Sequence, residues 1–138
     1  MSKKTALRIA VILFLVTALV IGTQVKENLD ESHPIVMEVK RQISPVHPDI
    51  SSMTFRKATK SYTINKEVIY LCIYDENGKP YPMNMLVYVA LHEVAHVLCD
   101  EVGHTEKFHR IFEDLLKKAT EMGIYNPSIP LIQNYCEY

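Results

Sequence analysis

The stretch Met85-Leu86-Val87-Tyr88-Val89-Ala90-Leu91-His92-Glu93-Val94-Ala95-His96 decides how this chain folds. Its first seven residues are apolar almost all round, which is typical of a helix buried in a protein core. Asn84 can cap this helix at its start, and the pattern continues it without a break to Asp100 or Val102. Because buried polar groups need partners, the three polar side chains near its carboxyl end predict a shared partner.

His92 and His96 lie four residues apart, with Glu93 between them, in the pattern H-E-x-x-H. On a helix, residues four apart are one turn apart and about 40° apart around the axis, so both imidazoles can reach one ion. Glu93 falls on the flank of the same face, where a carboxylate can take a proton from water that the ion activates. The pattern therefore predicts a zinc site with Glu93 as general base, as in a metallopeptidase.

The sequence after the motif predicts a third ligand. Gly103 predicts a left-handed end to the first helix, and His104 follows it directly. Thr105 can then cap a second helix. The apolar stripe of that helix consists of Phe108, Ile111, Phe112, Leu115, Leu116, Ala119 and Met122. This spacing predicts that the second helix packs on the core and holds His104 at its start, facing the first two histidines.

Two other residues compete with His104 for the third position. A first helix that continues to Val102 carries the chain about 9 Å past His96, so His104 must return by more than one turn. With a different tilt of the second helix, His109 or Glu113 would approach the ion instead. Both of these residues also fit a solvated helix face, so the sequence favours His104.

The H-E-x-x-H motif and the later run Gly103-His104-Thr105-Glu106-Lys107-Phe108 resemble the WLM and SprT-like zinc metallopeptidases. The signature of that family is H-E-x-x-H followed after a variable gap by G-H-x-x-x-F. The resemblance covers roughly residues 60 to 122. It implies an α+β fold with a minimal zincin-type core, in which the two motif histidines and His104 hold zinc and Glu93 is the base. A peptidase acts on polypeptide, so we expect a polypeptide substrate, whose identity the resemblance does not give.

The amino terminus has the composition of a membrane helix. Three basic side chains stand before an uncharged, mostly apolar run, and residues 5 to 25 are long enough to cross a bilayer. We therefore expect residues 1 to 25 to be a membrane anchor and residues 26 to 138 to be one catalytic domain. The basic residues before the run predict a cytosolic amino terminus and an extracytosolic domain. A cleaved signal peptide, which would give a secreted peptidase, is the alternative.

The charge of the domain argues against one class of partner. Residues 26 to 138 carry 12 basic and 16 acidic side chains, a net charge of −4, whereas nucleic-acid binders carry a basic footprint. We expect no nucleic-acid partner and interpret the basic side chains between Lys40 and Lys60 as solvated surface. Cys72, Cys99 and Cys136 match neither a disulfide framework nor a C-x-x-C zinc pattern. Cys99, close in sequence to the motif, is expected to be a small buried residue.

The remaining segments predict a small sheet and a further helix. Ser32 can cap a helix that ends before Pro45. The β-rich segments are residues 53–60, 61–64 and 68–74, with a turn at Asn65-Lys66. The last of these strands is apolar on both faces, so we expect it between helices. The tail after Gly123 is apolar enough to pack back on the domain.

Two function classes follow from these patterns. The first is a membrane-anchored, zinc-dependent endopeptidase, with Tyr125 and Tyr135 as candidate oxyanion donors by residue type only. The second is a non-enzymatic membrane protein whose domain uses zinc for stability. A structural site usually closes four ligands and needs no base beside them, so Glu93 favours the peptidase.

The anchor leads to a first testable prediction. We expect the chain to stay in the membrane pellet on carbonate extraction and its intact mass to include residues 1 to 25, because an uncleaved span holds the chain in the bilayer. A soluble species that begins near Thr23 would contradict the anchor and support the secreted alternative.

Overall fold

A computed structural model describes residues 1–137 of the chain. Within these residues the chain forms four α-helices and a three-stranded sheet, so the fold is α+β. The elements are α1 (Lys3–Glu31), α2 (Pro34–Ile43), β1 (Thr54–Ala58), β2 (Tyr62–Ile64), β3 (Val68–Cys72), α3 (Met83–Leu98) and α4 (Glu106–Glu121). Two 3-10 turns, Ser44–Val46 and Pro48–Ser52, connect α2 to β1.

The sheet has β3 at its centre. This strand pairs in parallel with β1 and antiparallel with β2, which leaves β2 as an edge strand. The β2–β3 hairpin turns at Asn65 and Lys66, as predicted, with φ angles of 51° and 56°. On one face of β3, Ile69 and Leu71 are fully buried. On the other face Tyr70 is half-buried and stacks on a tyrosine of β2, so helix packing is complete on one face only.

The start of α3 differs from the prediction. The helix begins at Met83, after Pro82, and Asn84 lies inside its first turn rather than at its cap. The Asn84 side chain instead accepts a hydrogen bond from the Asn126 N–H (2.8 Å) and donates one to the Asn126 carbonyl (3.1 Å). Asn84 therefore holds the tail of the chain against α3.

The end of α3 also differs. The helix stops at Leu98, because Cys99 adopts an extended backbone conformation with φ −82° and ψ 128°. The expected continuation to Asp100 or Val102 is wrong. Cys99 itself is buried, as predicted, and has a free thiol. The earlier end means that the chain turns back sooner than the sequence suggested.

The caps of the other two domain helices were predicted with unequal success. His33, not Ser32, caps α2, because its imidazole accepts a hydrogen bond from a backbone N–H in the first turn. Thr105 caps α4 as predicted, through its hydroxyl oxygen. Four residues of the apolar stripe of α4 are buried, two are half-buried, and Met122 is exposed at the end of the helix. The buried residues are Phe108, Phe112, Leu115 and Ala119, and the half-buried ones are Ile111 and Leu116.

α1 is a single helix that extends beyond the predicted span of residues 5 to 25. It is long and apolar enough to cross a membrane, and none of its apolar window is buried against the rest of the chain. Near its carboxyl end, acidic side chains lie 3.7–3.9 Å from Arg56 and Lys57 of β1. Those acidic residues are Glu27, Asp30 and Glu31. The interpretation of the basic stretch as solvated surface is therefore wrong for Arg56, whose side chain is only 18% exposed.

The tail packs back on the domain, as predicted, and it is also covalently attached. Cys136 forms a disulfide with Cys72 at the end of β3 across a sequence separation of 64. The Cys136 N–H donates to the Tyr81 hydroxyl at 3.0 Å, and Tyr125 is buried. The spacing of the three cysteines did not predict this disulfide. A single bond between distant cysteines depends on where the tail packs, and it leaves no repeated spacing in the sequence.

The disulfide should account for a large part of the stability of the domain. Closing a loop of this length stabilises the folded state by roughly 4 kcal/mol in the chain-entropy model. We expect reductant to lower the urea midpoint of the wild-type chain and to leave that of Cys72→Ser/Cys136→Ser unchanged. Because Cys99 is present in both proteins, it serves as the internal control. Equal sensitivity of the two proteins to reductant would contradict the bond.

Candidate metal centre

Three imidazole rings converge at the meeting point of α3 and α4. Ring nitrogens of His92, His96 and His104 all lie within 4.8 Å of one another, and the three residues form a group that could hold a metal ion. His92 and His96 are half-buried on α3, whereas His104 is exposed just before α4. Within residues 1–137, it is the one group of three or more His, Cys, Asp or Glu side chains whose ligand atoms lie this close together.

The loop between the helices brings His104 back to α3. The extended backbone at Cys99 ends the helix at Leu98, two residues after His96, and Gly103 reverses the chain with a φ of +83°. Lys66 of the β2–β3 turn donates hydrogen bonds to the carbonyls of Cys99 and Glu101. These bonds satisfy acceptors at the end of α3, so a side chain from the sheet holds the loop in place.

Phe108 contacts the imidazole rings of all three histidines. It is fully buried in the first turn of α4 and stacks on His96 with ring centroids 4.3 Å apart. The centroids of His92 and His104 lie 5.1 Å and 4.9 Å from that of Phe108, both with edge contacts. One aromatic ring therefore restricts the rotamers of the three histidines together.

One pair of ring nitrogens has nearly the separation of two ligands on a tetrahedral ion. The Nε2 atoms of His96 and His104 are 3.1 Å apart. Two nitrogens that each lie about 2.1 Å from a tetrahedral ion are about 3.4 Å apart. Burial, followed by the nearby charge of His92, lowers the pKa of His96 and favours the neutral imidazole that a metal requires.

Glu93 is a buried carboxylate beside these rings. Its side chain is 8% exposed, and its two oxygens contact His92 Nδ1 at 3.3 Å and the Thr63 hydroxyl at 2.7 Å. Burial alone raises the pKa of Glu93, but the hydrogen bonds from His92 and Thr63 and the charges of the imidazoles outweigh it and lower the pKa. Glu93 is therefore ionised at neutral pH and able to accept a proton.

Thr63 is a site residue that the sequence interpretation missed. It is the central residue of β2, between Tyr62 and Ile64, which are both exposed. Because side chains alternate along a strand, Thr63 points to the face opposite that of its two neighbours. A polar residue on the inward face of a strand could have indicated a site residue. The strand also forms one side of an open cavity of about 530 Å³ that contains Glu93 and the three histidines.

The other candidates lie elsewhere in the described residues. His109 and Glu113 are exposed on α4 and do not belong to the histidine group. Cys99 is buried and is likewise not part of that group. Tyr125 is buried and does not line the cavity, and the Tyr135 hydroxyl donates to the Cys72 carbonyl. Neither tyrosine therefore presents a free proton to the cavity of the three histidines.

The chain is similar to uncharacterized proteins of large viruses. It is 46% identical over 90 residues to a protein of Invertebrate iridescent virus 6, across 63% of this chain and 51% of the relative. It is 47% identical over 78 residues to a protein of Invertebrate iridescent virus 3, across 56% and 49%. A protein of Acanthamoeba polyphaga mimivirus is 42% identical over 67 residues, across 47% and 34%. The chain thus spans about half or less of the length of these relatives.

No protein-family model matches the chain. No solved structure matches it either. The geometry of the site itself therefore carries the functional argument.

The ligand set leads to a direct prediction. We expect His104→Ala to lower zinc affinity at least about a hundredfold, since even the loss of an outer-shell partner costs 10–100-fold. His109→Ala, on the exposed face of α4, is the matched control and should bind zinc like the wild type. Competition titration with a chromophoric chelator measures both affinities. Loss of zinc from His109→Ala with retention by His104→Ala would reverse the assignment.

Proposed function

We propose that this chain is a membrane-anchored, zinc-dependent endopeptidase with a minimal zincin-type domain. The observation that carries this proposal is the convergence of His92, His96 and His104 beside the buried carboxylate of Glu93 in one open cavity. Each group has a defined task in peptide hydrolysis, and the cavity that holds the groups is open to solvent. Polypeptide is therefore the substrate that we infer.

The donor set suits zinc in a catalytic rather than a structural site. Structural zinc sites usually close four protein ligands, whereas catalytic sites keep three ligands and an open position. Within residues 1–137, three side chains form the group, and the cavity around them is open to solvent. Bound zinc supplies Lewis-acid chemistry, since it lowers the pKa of water and polarises a carbonyl group.

Glu93 performs the proton transfers in this proposal. Its carboxylate accepts a proton from the attacking water and passes that proton to the amine nitrogen as the peptide C–N bond breaks. The Thr63 hydroxyl holds one carboxylate oxygen at 2.7 Å and so restricts the direction in which the other oxygen points. His92, which contacts that other oxygen through Nδ1, keeps its Nε2 for the metal.

The resemblance to the WLM and SprT-like peptidases supports the same roles. The four ring-bearing residues of the signature, His92, His96, His104 and Phe108, pack together at the site. The α+β arrangement of helices on a small sheet agrees with the compact core that the family implies. The family assignment is part of this proposal.

The disulfide supports an extracytosolic domain. Disulfides persist in oxidising environments such as the secretory lumen, the extracellular space and virion surfaces. Cys72 and Cys136 both belong to the domain that carries the site, on the far side of α1 from the basic amino terminus. A cytosolic amino terminus and an oxidised domain are therefore consistent with one orientation of α1.

Substitution of the base tests the reaction. We expect Glu93→Gln to keep its zinc and to lose about 10²–10⁴-fold in peptide hydrolysis, because the ligands remain while the base is removed. Glu113→Gln, at an exposed position on α4, is the matched control and should hydrolyse like the wild type. Cleavage of unfolded casein and bound zinc are measured in parallel. Full activity of Glu93→Gln would contradict the mechanism.

A further inference from the structure

A second cavity, of about 340 Å³, opens beside the metal centre. It shares Ser61, His92 and Glu93 with the cavity that contains the three histidines, so the two cavities meet at the proposed reacting groups. The first cavity extends towards His104, whereas the second extends towards the start of α3. A peptide bond placed at His92 and Glu93 would thus have one of its flanking residues beside the second cavity.

One side of the second cavity is an apolar face of α3. Met85, Tyr88 and Val89 stand seven, four and three residues before His92, which places them on the same side of the helix. Met85 and Val89 are almost fully buried although they border the cavity. Helix α3 therefore provides both the first metal ligands and an apolar surface next to them.

The tail of the chain forms the opposite side. Tyr135 and Cys136 line the cavity, and the disulfide to Cys72 fixes their position. The Tyr135 ring packs on Tyr81 with centroids 4.7 Å apart, and its hydroxyl donates to the Cys72 carbonyl. The disulfide, together with these two contacts, holds this wall of the cavity in place.

The charged residues that line the second cavity have partners within the protein. Lys60 donates a hydrogen bond to the Cys136 carbonyl, and Glu93 accepts from Thr63. Apart from these two residues the lining is largely apolar, so a charged side chain that entered would lose its hydration beside Met85, Tyr88 and Val89, which is unfavourable. An apolar side chain would gain by leaving water.

We propose that this second cavity binds a large apolar side chain of the polypeptide substrate, next to the bond that is cut, and that the disulfide-linked tail sets its size. The chain would accordingly prefer substrates with leucine or phenylalanine at that position. This inference rests on the proposed peptidase function, but the binding it describes needs only a metal at the histidines and no hydrolysis.

Hydroxamic acids test the cavity without turnover, because they bind the metal and direct a chosen side group away from it. The full chain in detergent micelles is loaded with cobalt(II), whose visible absorption reports ligands at the metal. We expect 3-phenylpropionohydroxamic acid to bind at least about tenfold more tightly than acetohydroxamic acid, since each buried methylene contributes roughly fourfold. Val89→Phe fills the cavity and should reduce this ratio below about threefold.

Ile129→Phe is the matched control, because Ile129 is an exposed tail residue that lines neither cavity. It should keep the wild-type ratio. If Val89→Phe does not fold, Val89→Leu takes its place and should weaken the phenyl ligand alone by roughly fourfold. A wild-type ratio near one, or a ratio that Val89→Phe leaves unchanged, would overturn the inference, as would failure of both hydroxamates to bind.

A variant without the disulfide tests the role of the tail in the same binding assay. We expect Cys72→Ser/Cys136→Ser to lose most of the preference for the phenyl ligand while it still binds acetohydroxamic acid, because the wall moves and the histidines do not. A double variant with the wild-type ratio would remove the tail from the proposal. If casein is not cleaved but the ratio and its loss in Val89→Phe are observed, the cavity stands and the peptidase function fails.

Discussion

The contact between α3 and α4 through Phe108 is the interaction on which the site depends. Phe108 is fully buried and touches the rings of His92, His96 and His104. Because its own position is fixed by the apolar stripe of α4, the core and the histidine cluster are stabilised by the same packing. Loss of this ring would leave a cavity in the core and remove the common support of three side chains.

The sheet contributes to the site from the other side. Thr63 of β2 orients Glu93, and Lys66 of the following turn holds the loop that returns His104 to α3. Lys66 does so from a left-handed backbone conformation, which is unusual for a residue with a side chain. The hairpin therefore places a hydroxyl and an ammonium group in the lining of the same cavity, and both groups donate hydrogen bonds to protein atoms.

Local patterns predicted those parts of the site that depend on neighbouring residues in the chain. The spacing of His92 and His96, the cap at Thr105 and the left-handed backbone of Gly103 are all properties of a few consecutive residues. Gly103 was expected to end the first helix, however, and it lies instead in the loop beyond Leu98. The end of α3 at Leu98 lies where Lys66, which is distant in sequence, donates a hydrogen bond to the Cys99 carbonyl, and periodicity, which does not include this contact, overestimated the helix.

Other contacts at the site and in the tail also form only between segments that are distant in the sequence. The position of Asn84 is decided by Asn126 in the tail, and the Cys72–Cys136 bond depends on where that tail lies. Thr63 meets Glu93 only after β2 pairs with β3. Such contacts join segments 30 or more residues apart, and composition or periodicity within one segment carries no information about them.

The bond between Cys72 and Cys136 also makes a closed ring of the part of the chain that carries the site. His92, Glu93, His96 and His104 all lie between the two cysteines. A single cut in the exposed loop between α3 and α4 would open this ring into one branched molecule, and both pieces would stay joined at the sulfur atoms. A domain that shares its compartment with proteolytic activity can therefore be nicked once without releasing any of its ligands.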